Sequence, residues 1–286
     1  MIVGLDQFSY HRFFGDIFPW EKDPNERWAL CDFLDHATAF NVKCVGLHVH
    51  YLTDDEIANL GDMLAQHSLS FVLEWGHPDG LKMGTSYEAV DDLRRWMAIA
   101  ASLNCRLMRI VAGCQTWRGR EPVEMQIDRI KPILREVCRE AVANGLTLAI
   151  ENHADFTPQE LVRLVERVDD RALKICFDTG NCVRLGADLI ESARFVAPYT
   201  AMVHMKDILV LETSIGNPNA SWPSAPLGHG SLNIAVAVDV LRQHGFDGPV
   251  FIEMAQMHPD WPDEDDAIAQ SVRLLDSLVS DICPKA

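Results

Sequence analysis

The sequence predicts an α/β protein, a single (β/α)8 TIM barrel over residues 1–286. Three observations carry this expectation. Short apolar runs alternate with longer amphipathic stretches eight times along the chain, and strands separated by helices run parallel. No Pro-, Gly- or Ser-rich linker divides the chain into halves. Several apolar runs end abruptly in a carboxylate or an imidazole, as in a sheet buried on both faces that opens at its C-terminal edge. A doubly wound open sheet is the competing architecture, but no G-x-G-x-x-G follows the first strand.

In order, strands are expected at residues 3–5, 43–50, 69–73 and 106–111, then before Glu151, before Asp178, before His204 and around Val250. Helices are expected at about 24–40, 53–67, 86–103, 122–143, from 157, 188–197, 232–244 and 263–279. Thr53 with Glu56 three residues on reads as a capping box. Thr157-Pro158 has the cap-then-proline order of a helix start. The aromatic stretch from Phe8 to Trp20 is a loop after the first strand, with packing expected for Phe13 and Phe18. Residues 208–230 form the longest connection, and a long loop on the catalytic face reads as a lid.

Bulk properties narrow the function. The formal charge of −17 opposes nucleic acid and anionic membrane surfaces as partners. No run approaches the ~18 apolar residues of a membrane span, and the N-terminus lacks a basic region followed by an apolar one. The eight cysteines form no C-x-x-C and several lie in apolar runs, so reduced thiols and a cytoplasmic location are expected. A small-molecule substrate and a homo-oligomer complete the expectation.

The chemistry is concentrated at four strand ends. Leu148-Ala149-Ile150 runs into Glu151-Asn152-His153, Ile175-Cys176-Phe177 into Asp178, Ala201-Met202-Val203 into His204, and Val250-Phe251-Ile252 into Glu253. In a barrel these groups share one quadrant of the mouth. Singly, each could be a helix cap or a surface charge; together they form an oxygen-rich set. It suits one hard or borderline divalent ion, Mn²⁺ foremost, then Mg²⁺ or Co²⁺, with Zn²⁺ compatible because affinity alone favours it. Period-two geometry puts His153 on the face of Glu151, Lys206 on that of His204, and His48 with His50, while Glu74 ends strand three. Arg109 alternates into the barrel mouth, either toward substrate or as a partner of Glu74 or another carboxylate. His11 and Tyr10 after the first strand, and His229 between two glycines, are further candidates for substrate contact. No glycine-rich phosphate cradle is present, which favours a non-phosphorylated carbohydrate.

The motifs E-N-H, F-D-T-G-N, H-M-K-D, P-L-G-H-G and F-I-E resemble those of the xylose isomerase-like barrel superfamily, over nearly the whole chain. That group holds sugar isomerases and epimerases, inosose dehydratase and isomerase, and type IV AP endonucleases. The resemblance to its ketose epimerases implies one divalent metal on Glu151, Asp178, His204 and Glu253, with the two glutamates as acid and base. Asn181 stands where the endonucleases carry a further zinc-binding histidine, so DNA repair is not expected. The expected activity is isomerisation or epimerisation of a keto-sugar or polyol-derived ketone through an enediolate. The alternatives are a metal-dependent lyase acting on a 3-oxo sugar acid or inosose, with Lys206 or Arg109 holding the carboxylate, and a sugar-binding barrel without chemistry.

Overall fold

The structure, a computed structural model, describes residues 1–280. Its strands are β1 Ile2–Asp6, β2 Cys44–His48, β3 Ser70–Glu74, β4 Leu107–Ile110, β5 Thr147–Glu151, β6 Leu173–Asp178, β7 Thr200–Met205, β8 Asp207–Ile208, β9 Ser224–Ala225 and β10 Pro249–Ile252. Eight of these close into a barrel in the order β1-β10-β7-β6-β5-β4-β3-β2, with β8 and β9 forming a separate pair. Every barrel ladder is parallel. The helices are α1 Leu30–Ala39, α2 Asp54–His67, α3 Tyr87–Ser102, α4 Val123–Ala143, α5 Pro158–Val168, α6 Thr179–Arg184, α7 Leu189–Val196, α8 Ile234–Gln243 and α9 Glu264–Ser280. The (β/α)8 barrel expected from the sequence is therefore the architecture observed.

Local chemistry sets the helix starts. The Thr53 hydroxyl accepts from the Glu56 N–H at 3.2 Å while the Glu56 carboxylate accepts from the Thr53 N–H at 2.8 Å. Thr157 and Glu160 repeat the arrangement, with Pro158 at the first turn, where a missing N–H costs nothing. Two expectations are corrected. The helix expected from residue 24 begins only at Leu30, because Asn25 takes a left-handed φ of 58° and Trp28 is held outside the helix, stacked 4.2 Å from Phe13. Strand two ends at His48, and the next three residues form a 3-10 turn, so His50 leaves the face of His48. The short helix α6, directly after β6, was not anticipated.

Side chains entering the barrel fall into two layers two residues apart along each strand. The lower layer packs Cys44, Val72, Ala149, Cys176, Met202 and Phe251 together, all buried, with Leu107 against them. Gly4 completes it, since a Cβ there would stand 2.6 Å from the Phe251 ring. One step toward the C-terminal ends the same strands present Asp6, Glu74, Arg109, Glu151, Asp178 and His204, all buried, with Glu253 just beyond β10. Gly46 on β2 is required here: a Cβ would run into the Glu74 carboxylate and come within 3.0 Å of Asp6 Oδ2. The described cysteines are free thiols, of which only Cys31 is exposed; Cys283 lies outside the described residues. Among the described residues no helix is long and apolar enough to cross a membrane.

The loop expected at residues 208–230 is tied down at its base by the antiparallel β8–β9 ladder. The Asp207 carboxylate accepts from the N–H groups of Gly228, Gly230 and Leu232 at 2.9, 3.0 and 3.0 Å, which closes the G-H-G turn.

Candidate active site

The upper layer is one continuous charged network. On one side Asp6 Oδ1 lies 3.1 Å and Glu74 Oε2 3.3 Å from His48 Nε2. Glu74 Oε1 faces His204 Nε2 at 3.1 Å, which carries the network across the barrel. On the other side Lys206 donates to Asp178 Oδ2 at 2.9 Å and Glu253 Oε1 at 2.8 Å. Asn181 Nδ2 donates to Glu151 Oε1 at 3.1 Å and Asp178 Oδ2 at 2.9 Å. Arg109 Nε donates to Glu151 Oε2 at 2.6 Å and lies 3.7 Å from Glu74, so it is the carboxylate partner weighed from the sequence. Asp178 also caps α6, accepting from the Asn181 N–H at 2.7 Å. Asn152 fixes the strand end beneath it, exchanging 2.8 Å hydrogen bonds with the Asp178 backbone in both directions.

Electrostatics follow from burying these groups together. Burial opposes ionisation of Glu253, but Lys206 and His204 outweigh it and hold the carboxyl well below its usual range. Burial likewise opposes Glu151, yet Arg109 brings it down to about 2. Asp178 rises to about 6, chiefly through burial, against the pull of Lys206. Asp6 rises to about 7 through burial and the neighbouring Glu74. His204 is pushed down by burial, but Cys176, Glu74 and Glu253 outweigh this and hold it well above its usual value. His153 is driven down to about 3 by burial and is neutral, and its Nδ1 sits 3.1 Å from the Gly113 carbonyl.

The donor set fits a divalent cation. Asp6, Glu74, Glu151, Asp178 and Glu253 are buried around Arg109, Lys206, His48 and His204, and the rise of Asp6 and Asp178 toward neutrality shows that these cations do not fully compensate the carboxylates. His204 Nδ1 and Glu253 Oε2 approach to 2.6 Å, yet neither has a hydrogen-bond partner. The 2.6 Å approach of a ring nitrogen to a carboxylate oxygen calls for a positive charge at that point, carried by a proton on Nδ1 or by a cation that takes its place. A carboxylate behind a ligating histidine is the usual outer support of such a site. Asp6, His204 and Glu253 offer three ligand atoms within 4.8 Å of one another, and so do Glu151, Cys176 and His204. Lys206 and Asn181 stand between Asp178 and the glutamates.

A cavity of about 440 Å³ opens above this layer. Of the residues singled out in the sequence, Glu253, Lys206, Arg109, His48 and His153 line it. Glu151, Asp178, His204 and Glu74 lie buried beneath. Three candidates point elsewhere. His11 is held by the Phe8 carbonyl at 2.8 Å and the Glu21 carboxylate at 3.0 Å, pinning the first loop together. Tyr10 is buried and donates to Asp265 on α9. His229 is exposed near Trp261, because its flanking amides turn inward to Asp207. Phe18, for which packing was expected, lines the cavity with Phe8 and Trp222.

Sequence reasoning missed Asp6, Asn181 and Arg184. Asp6 follows Val3-Gly4-Leu5 in the same pattern that singled out the other strand ends, so its signal was present. Asn181 closes the F-D-T-G-N motif but was read only against the endonuclease histidine and given no role here; with Arg184 it sits on α6, which was not anticipated.

A model of the Xylose isomerase-like TIM barrel family matches residues 20–278, and the chain belongs to that family. It is 28% identical over 162 residues to a 3-oxo-isoapionate decarboxylase of Pectobacterium atrosepticum, a match covering 57% of this chain and 56% of that protein. The chain spans little more than half the length of the curated relatives it first matches. Among solved structures, an L-ribulose 3-epimerase superposes with a TM-score of 0.73 at 16% identity, covering 97% of this chain and 94% of that one. An IolI protein with a bound zinc atom gives 0.74 at 15% identity over the whole of both chains. These likenesses establish the fold.

Proposed function

We propose that this protein is a divalent-metal-dependent isomerase or epimerase acting on a keto-sugar or polyol-derived ketone through an enediolate. The observation that supports the reading best is the setting of Glu253. It is the carboxylate of the ligand set on the cavity wall, and Lys206 and His204 keep it ionised. Glu151, Asp178, His204 and Glu253 would hold the ion. When bound, it supplies Lewis-acid polarisation of a ketone and its neighbouring hydroxyl, acidifying the C–H beside the carbonyl. For isomerisation Glu253 takes that proton and returns it to the neighbouring carbon, while the hydroxyl proton passes to the former carbonyl oxygen. Lys206 limits the charge change at Glu253 as the proton moves. Neutral His153 offers a hydrogen bond to a substrate hydroxyl. Phe8, Phe18 and Trp222 wall the cavity against sugar C–H faces and exclude water.

A metal-dependent lyase acting on a 3-oxo sugar acid or inosose is the second reading, and one observation favours it. Epimerisation by two bases needs both glutamates at the substrate, whereas Glu151 is held behind Arg109 and Asn181 and is off the cavity wall. Decarboxylation needs only one proton delivered to the carbon that loses CO₂.

Turnover in D₂O separates the readings. Mn²⁺-supplemented protein is given keto-sugars and 3-oxo sugar acids. The isomerase reading expects deuterium at the carbon next to the carbonyl in recovered substrate and product. Stoichiometric CO₂ with deuterium in the product alone would replace it with the lyase. Failure to turn over either class would leave a sugar-binding barrel.

A further inference from the structure

Three cationic side chains line the cavity: Arg109, Lys206 and Arg184. The first two are already neutralised. Arg109 is committed to Glu151 and Glu74, and Lys206 to Asp178 and Glu253. Arg184 is different. Among the described residues it pairs with no carboxylate. Its Nη1 donates to the Asn181 amide oxygen at 3.1 Å and its Nη2 to the Pro218 carbonyl at 3.0 Å. Its Nε is buried and has no acceptor. The chain has 42 acidic residues and 25 basic ones, so a cavity-lining guanidinium without an acidic partner needs an explanation. Neutral hydrogen bonds hold the side chain in place, and Asp178 and Glu151 act on its charge only from a distance, without bonding to it.

We propose that Arg184 is the anion-binding residue of this site and that the substrate carries a carboxylate, making it a sugar acid. The inference rests on the carbohydrate reading above and narrows it. A guanidinium recognises carboxylate and phosphate oxygens through the same planar fork. Charge favours the carboxylate: one unpaired cation matches one negative charge, while a phosphate dianion would call on Lys206 or Arg109, both already paired. The anchoring also has direction. Arg184 ends α6, which starts at Asp178, so the carboxylate is held at a fixed offset from the strand-six carboxyl. Its bond to Pro218 places the same guanidinium against the loop after β8, whose Asn219 and Trp222 line the cavity. Neither Lys206 nor Arg109, the residues expected from the sequence to hold a carboxylate, is available for it.

Calorimetric titration of the whole protein with three probes that cannot react tests this: D-gluconate, its uncharged counterpart D-glucitol, and D-glucitol 6-phosphate. The expected result is gluconate binding about 10–100-fold tighter than glucitol, the range for a hydrogen bond to a charged group. Arg184→Gln should abolish that preference while leaving glucitol affinity and the melting temperature unchanged, and Arg184→Lys should retain part of it. Equal affinity for gluconate and glucitol, or no gluconate binding, would overturn the proposal. So would a larger Arg184-dependent gain for the phosphate ester, or an equal loss of both sugars in Arg184→Gln, which would mean that Arg184 only holds the loop. The assay reads binding alone, so its failure is distinct from failure of turnover. Turnover of a neutral keto-sugar, unchanged in Arg184→Gln, would remove the acid substrate and keep the metal enzyme.

Discussion

The two layers inside the barrel are made by the same strands, two residues apart, and are chemical opposites. Ala149 lies under Glu151, Cys176 under Asp178, Met202 under His204 and Phe251 under Glu253. The lower layer is small and apolar, and its packing stabilises the barrel in proportion to the area removed from water. The upper layer gathers ionised groups in a place where desolvation works against each of them. A layer whose members are each opposed by desolvation yet support one another through Arg109, Asn181 and Lys206 is where a functional site is expected. The comparison teaches that in this barrel one step along a strand separates the packed apolar layer from the charged layer of the proposed site.

Substituting neighbours across that boundary should break the comparison if it is wrong. Glu253→Gln should lower turnover by about 10²–10⁴-fold, the usual worth of a positioned acid–base group. Chemical denaturation should find a loss of stability smaller than that of Phe251→Ala, because Gln keeps the shape and leaves Lys206 and His204 with Asp178 and Glu74 as remaining partners. Phe251→Ala, two residues earlier, should do the reverse at the level of the fold, with a loss of about 3–5 kcal/mol from the cavity left in the lower layer. Loss of stability in Glu253→Gln comparable to that in Phe251→Ala would erase the distinction.

A smaller effect sharpens the boundary at the rim. Asp16 accepts from Tyr51 at 3.0 Å and lies 3.3 Å from His77 Nε2, and these contacts, His77 first, hold its carboxyl at about 2 against burial. The unfolded chain binds a proton there near 3.8, so between the two values it takes up protons that the native state excludes. The stabilisation is complete above the unfolded value and is lost as pH falls through the folded one. Asp16 is partly exposed, so Asp16→Asn should cost less than about 1 kcal/mol near neutrality. The gap from wild type, followed by urea unfolding, should close below about pH 4. A gap independent of pH would show that shape rather than charge matters at this position.

How much of this was legible in the sequence depends on the range of the force involved. The barrel was legible because burial on both faces writes continuous apolar runs, and the strand ends because ionisable groups after such runs are rare. Asp6 obeyed the same rule and was passed over because its strand was expected to span only residues 3–5, whereas β1 runs from Ile2 to Asp6. Arg184 was not legible, nor was the bridging role of Asn181 within the F-D-T-G-N motif: Asp178 caps α6, a contact that a reading of Asp178 as metal ligand alone conceals. The start of α1 was misjudged because Pro24 imitates a helix start, while stacking of Trp28 on Phe13, a tertiary contact, keeps the chain extended. His229 was misjudged because its glycines serve Asp207, twenty-odd residues earlier, and not a ligand.

The central claim is that the upper layer holds one divalent ion. Elemental analysis after chelation and reconstitution with Mn²⁺ measures it most directly, on wild type and on Asp178→Ala side by side. The account predicts close to one equivalent per chain in wild type and a small fraction of that in Asp178→Ala, with unchanged circular dichroism. Wild-type protein that retains no metal after reconstitution, or an Asp178→Ala variant that retains as much as wild type, would contradict it.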